Sequence, residues 1–255
     1  MRRIDAPEIL DSGACSGDEL QATLKTLDRI NRWFGGVATT QKMVERVAEV
    51  KRASSFSLLE VASGSGYVPL LVRGRVAQRG ISLAVTLLDR AHSHLVSESH
   101  LVSRSHPVPD ACSDGNSESN AHAITADALA LPFRDEAFDL VSCNLFAHHL
   151  SPQQLAAFVG EALRVSRVAL LINDLVRHPV HLGLVYSSFP LMSTRVAWLD
   201  GLTSVRRAYT ANEIRQMVSL HAPAETQIEI TRHYLFRMGV IVWKKSPDLG
   251  LWPAA

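Results

Sequence analysis

Apolar positions along the chain change period twice, and the changes divide it into three parts. Leu20, Leu24, Leu27 and Ile30 recur at helical spacing until Gly35-Gly36 ends the run. Met43, Val44, Val47 and Val50 then predict a second helix over 40–51. Up to Gly17 the pattern is weak, and a loose segment is expected there. After Ser54 short apolar runs predict strands over 57–62, 83–88, 123–126, 138–144 and 168–174. Helical stretches over 67–78, 91–97 and 152–165 fall between them. Strands buried on both faces read as unbroken apolar runs, so their alternation with helices predicts a doubly wound, mostly parallel α/β sheet. A helix over 211–220 and strands over 226–231 and 234–244 close the pattern.

Two stretches interrupt this rhythm. Residues 99–120 are rich in Ser, His and Pro and carry Asp114-Gly115-Asn116, which reads as a long surface loop. Residues 176–209 hold Leu182, Leu184, Tyr186, Phe189, Met192 and Trp198 where a plain doubly wound fold needs one helix. An apolar insertion of this size suggests a cap over a pocket. The expected organisation is an N-terminal helical lid over 1–53 and a core over 54–255 that carries this cap.

Composition narrows the function classes. The 255 residues include 26 Lys+Arg and 25 Asp+Glu, a net charge of +1, so a dedicated nucleic-acid binder is not expected. Cys15, Cys112 and Cys143 are few and scattered, which argues against a disulfide framework and fits a reducing, cytoplasmic setting. Paired arginines at the start have no apolar run behind them, and 168–172 is too short to cross a bilayer, so neither a secretory signal nor a membrane span is expected.

The most informative stretch is Glu60-Val61-Ala62-Ser63-Gly64-Ser65-Gly66, an apolar strand running into a small-residue turn and then a helix. Glycine lets backbone approach a ligand closely, and the helix behind it presents free N–H groups. A dinucleotide fingerprint fails at Pro69, and no Gly-Lys-Ser/Thr of a P-loop follows. Asp89 at the second strand end is placed to accept ribose hydroxyls, and Asp127 at the third to accept from an adenine amino group.

With 126–133, Phe138-Asp139-Leu140-Val141 and Asn144–Leu150, this set resembles the class I S-adenosylmethionine-dependent methyltransferases, in the small-molecule branch related to quinone methyltransferases. The resemblance implies a Rossmann-like, seven-stranded sheet with an antiparallel last strand, and S-adenosylmethionine as cofactor. It makes cofactor-binding residues of Glu60, Ala62, Gly64, Gly66, Asp89, Asp127, Ala128, Asn144 and Leu145. Ala62 stands where the family's first glycine would be, and negative φ is expected there at modest cost. Trp33 and Phe34 become candidate lid aromatics.

An oxygen nucleophile must lose a proton, so a histidine near the methyl group would help. The candidates are His148 and His149 after the fourth strand, and His178 and His181 in the cap, with Asp174 placed to orient either cap histidine. No metal is expected: Asn144-Leu145 follows the fourth strand, only Asp174 follows the fifth, and His92 and His94 lack a third partner. The expected activity is methyl transfer to a small, apolar or aromatic acceptor, on oxygen rather than carbon. A silent S-adenosylmethionine-binding partner and a nicotinamide-dependent oxidoreductase are the alternatives. The oligomeric state is open.

Overall fold

The structure, a computed structural model, describes residues 1–12, 17–90, 122–192, 194–233 and 236–245. The helix expected over 91–97 and the loop expected over 99–120 lie outside them. Two helices, α1 (Gly17–Trp33) and α2 (Gly36–Lys51), precede β1 (Ser55–Val61), α3 (Tyr67–Ala77), β2 (Ser82–Asp89), β3 (His122–Thr125) and β4 (Phe138–Asn144). There follow α4 (Pro152–Val165), β5 (Ser166–Leu175), α5 (Pro179–Ser187), α6 (Arg195–Arg207), α7 (Ala211–His221), β6 (Gln227–His233) and β7 (Arg237–Trp243).

The seven strands pair in the order β3-β2-β1-β4-β5-β7-β6, with β7 antiparallel to both neighbours. Alternating residues of β1 face opposite layers. Leu59 and Val61 pack with Phe158 of α4 and Val218 of α7, whereas Leu58 packs with Val44 of α2 and Val72 of α3. The unbroken apolar runs are therefore strands covered on both sides. Register places Val61 opposite Leu88 on one side and Cys143 on the other, so the carboxyl ends of the central strands form one edge.

Several element boundaries shift by a few residues, and two differences have a clear physical cause. Helix α2 begins at Gly36, because Gly35 takes φ 85° and turns the chain. A Cβ at Gly36 would lie 2.5 Å from Asn31 Oδ1, so only glycine permits this close helix-to-helix approach. The expected loose start is wrong for residues 1–12. Arg3 donates to the carbonyls of Arg207, His148 and Leu150. Asp200 accepts from the amides of Ile9 and Leu10 at 2.7 and 3.0 Å. These are polar anchors, which an apolar period does not reveal.

The segment expected to form a cap folds as the pair α5 and α6 with a 3₁₀ turn, Phe189–Leu191, between them. Among the described residues no helix is long and apolar enough to cross a membrane.

Candidate active site

β1 delivers the chain into a left-handed turn. Ala62, Gly64 and Gly66 take φ of 54°, 53° and 66°, and Gly66 is the N-cap of α3. The negative φ expected at Ala62 is thus overturned. Its methyl stands in a conformation that costs an L-residue about 1–2 kcal/mol. Beside Gly64 a Cβ would meet nothing within 4 Å, so the turn borders open space. Ser63 Oγ is buried there with no hydrogen-bond partner among the described residues. Asp89, itself buried, accepts the Gly64 N–H at 2.8 Å and ties the turn to the end of β2.

Below the turn lies a buried polar network. Glu60 accepts from Ser142 Oγ and, at 2.7 Å, from Asn144 Nδ2. Asn144 Oδ1 accepts in turn from Thr40 and Asn173, and Arg237 donates to Asn173 and Asn31. Burial pushes the Glu60 carboxyl up to about 7, against the hydrogen bonds from Ser142 and Asn144 that pull it down. Burial likewise brings the Arg237 guanidinium down to about 10. This network joins α1 and α2 to β1, β4, β5 and β7. It sets the floor of the site, and Arg237 of the network also lines the cavity.

Above it opens a cavity of about 780 Å³, within the range of small-molecule sites. Ala62, Gly64, Asp89, Asp127, Ala128 and Leu145 line it. Leu145 also holds positive φ, 52°. Glu60 and Asn144 act from beneath rather than at the wall. Phe34 lines the cavity, while Trp33 is 72% exposed. Asp28 was not anticipated from the sequence: its carboxylate receives Ser65 Oγ at 3.2 Å, beside the glycine turn. Burial raises its pKa to about 6, with Ser65 opposing.

The histidines separate into three environments. His148 is buried, with Nδ1 2.7 Å from Asp174 Oδ1 and Nε2 3.4 Å from Glu8 Oε1. Asp174 therefore orients His148, and not a cap histidine as expected. Burial alone would lower the pKa of His148, but the Asp174 and Glu8 carboxylates outweigh it and raise it to about 9. The two carboxylates thus favour the protonated ring, which makes it a poor proton acceptor. His149 stacks against it with ring centres 4.3 Å apart and meets Asp11 at 3.0 Å and Glu8 at 3.7 Å.

His178 caps α5, accepting the Val180 N–H, and lies off the cavity wall. His181 lines the cavity and stacks on Phe236. Its Nδ1 lies 3.1 Å from the Val176 carbonyl, which can only accept; the proton therefore sits on Nδ1 and the lone pair on Nε2. Burial, then the charge of Arg237, lowers its pKa.

Residues 59–169 match the family model of a methyltransferase domain. The protein is a methyltransferase. Its sheet is that of the Rossmann-like methyltransferase fold. Solved structures similar to this methyltransferase include the plantazolicin methyltransferase BpumL, at 10% identity and a TM-score of 0.67, covering 93% of this chain and 95% of that one. The plantazolicin methyltransferase BamL follows at 12% identity and 0.66, with 89% and 91% covered. A SAM-dependent methyltransferase from Aquifex aeolicus gives 15% and 0.55, with 86% and 95% covered. No curated protein sequence matches the methyltransferase.

Proposed function

We propose that the protein transfers the methyl group of S-adenosylmethionine to a hydroxyl of a small, largely apolar acceptor. The observation that carries this reading is the crevice at the ends of β1 and β2. It has open space at Gly64, an unpartnered Ser63 hydroxyl, and Asp89 buried at its lip. The BpumL and BamL structures were obtained with bound SAH, which supports the same donor here. Asp89 would accept from the ribose hydroxyls, while Asp127 and Ala128 flank the adenine. Asp28 would meet the methionine ammonium beside Ser65. Bound there, S-adenosylmethionine supplies a methyl group already activated on sulfonium sulfur.

The remaining residues serve the acceptor. Leu184, Val185 and Met192 of the cap, with Leu24 and Leu27 of α1, give it an apolar wall. Residues 1–53 act as the lid, through Phe34 rather than Trp33. A quinol or other aromatic hydroxyl fits this wall, in keeping with the resemblance to quinone methyltransferases. A phenol with a pKa near ~10 keeps its proton at neutral pH. His181, neutral with Nε2 as its basic atom, is the group suited to receive that proton. His148, whose protonated form is favoured by Asp174 and Glu8, is the poorer base. This assignment favours O- over C-methylation.

Calorimetry with S-adenosylhomocysteine, followed by transfer of labelled methyl to a panel of phenols and enols, tests the reading. The expected result is one bound equivalent and labelled ether products. No binding at millimolar ligand removes the donor assignment. Binding without transfer to any acceptor favours the silent-partner alternative.

A further inference from the structure

We propose that Glu8, His148 and His149 bind a divalent first-row metal ion of the zinc class, on the acceptor side of the cavity. The three residues each direct one ligand atom into a common space, all within 4.8 Å of one another. Two of them are sequence neighbours in a 3₁₀ turn, and the third comes from the N-terminal strap pinned by Asp200.

The distances favour coordination over direct pairing. Glu8 Oε1 lies 3.4 Å from His148 Nε2, and Glu8 Oε2 lies 3.7 Å from His149 Nε2. A good N–H···O bond spans about 2.7–3.2 Å. Two donors bonded at about 2.0–2.1 Å to a tetrahedral ion stand about 3.3 Å apart. The two Glu8–histidine separations sit close to that edge, and all three ligand atoms lie within 4.8 Å of one another.

The supporting groups fit as well. Each imidazole has Nε2 facing the shared space, where the ion would displace any proton the ring carries, while its Nδ1 meets a carboxylate, Asp174 at 2.7 Å and Asp11 at 3.0 Å. Carboxylate–histidine–metal relays are built in this way: the outer acid fixes the ring and raises its basicity. Glu8 is steadied by Ser204 Oγ at 2.7 Å. The carboxylates of Glu8, Asp11 and Asp174 surround two rings, with Arg207 3.4 Å from Asp11. That excess of negative charge suits a dication. Two imidazoles and one carboxylate leave a coordination position, and all three ligands line the cavity. An acceptor oxygen is the natural fourth ligand, and a bound dication would ease loss of its proton. That use rests on the methyl-transfer reading; the binding site itself does not.

The test uses the full chain, stripped with chelator and titrated with Zn²⁺ by calorimetry and with Co²⁺ by visible absorption. The expected result is one equivalent bound and the strong visible band of tetrahedral cobalt. Glu8→Gln and His149→Ala should each weaken binding at least a hundredfold, and Asp174→Asn by about 10–100-fold. His221→Ala, on the exposed end of α7, should not change it. X-ray absorption of the native zinc form should show two imidazoles and oxygen donors, a readout that needs no variant. No uptake by the native chain at millimolar Zn²⁺, a zinc shell without imidazole, or unchanged affinity in both ligand variants overturns the proposal. S-adenosylhomocysteine binding measured in parallel keeps the two readings separable. Its failure in the native chain removes the donor assignment and leaves the metal result standing.

Discussion

The two ends of the cavity are built by different means. At the proposed donor end, consecutive residues of one turn and two strand tips make the wall, and backbone does much of the work. Gly64 supplies an amide and an open flank, and Asp89 sits one strand away. At the proposed acceptor end the wall comes from the N-terminal strap, α1, the turn after β4, and α5 with α6. There side chains from remote segments meet, and charge is balanced by partners such as Asp174 and Glu8 on His148. A binding surface made by local geometry carries its own signature. One made by assembly carries none until the chain is folded.

Substitutions on either side should separate these ends. Asp89→Ala should have the largest effect. It removes charged hydrogen bonds worth about 1.5–3 kcal/mol each, so calorimetry should show about a thousandfold loss of S-adenosylhomocysteine affinity. An unchanged affinity would erase the ribose role. His181→Gln should lower kcat by about a hundredfold while leaving donor affinity intact. A loss shared equally by binding and turnover would mean that the ring only props the cap.

The floor is tested by pH. Glu60 is raised to about 7 in the folded protein, so the folded state favours its protonated form. Its contribution is fully present below the ordinary carboxyl pKa and fades as pH rises through about 7. Denaturant midpoints should show the native chain losing about 3 kcal/mol between pH 5 and 8 relative to Glu60→Gln. Ser142 can turn its hydroxyl to accept from the new amide, so this variant should stay folded.

Asp28, raised to about 6, should make donor affinity climb as pH rises through that value. Asp28→Asn should flatten the climb and weaken binding several-fold at pH 8. The smallest expected effect is at Ala62→Gly. Relief of the left-handed strain is partly cancelled by the extra freedom of glycine in the unfolded chain. A gain of about 0.5 kcal/mol, read as a slightly higher Tm, is expected.

The same contrast explains what the sequence disclosed. Both faces of β1 and β4 are covered, so their apolar runs located the sheet, and the turn after β1 pointed to the crevice proposed for the donor. Asp89 and Asp127 follow from strand ends, whereas Ala128 follows only from the family resemblance. The φ of Ala62 was misread because sequence does not tell which way a turn bends when glycine is replaced. Asp174 was paired with the wrong histidine, since β4 and β5 bring it beside His148 rather than toward the cap. Glu8 and Asp11 left no trace in the pattern, as single acids in a stretch without periodicity, and Asp200 is one acid on the buried face of α6. Only Asp28 had a hint, an acid set next to the apolar stripe of α1.

The strap over residues 1–12 is joined to the body by side-chain and carbonyl partners, with no strand ladder to the sheet. Exchanging it for the corresponding stretch of a relative would therefore re-tailor the chamber's far wall while the nucleoside berth stayed as it is. In this architecture, choice of guest and grip on the donor are separable parts.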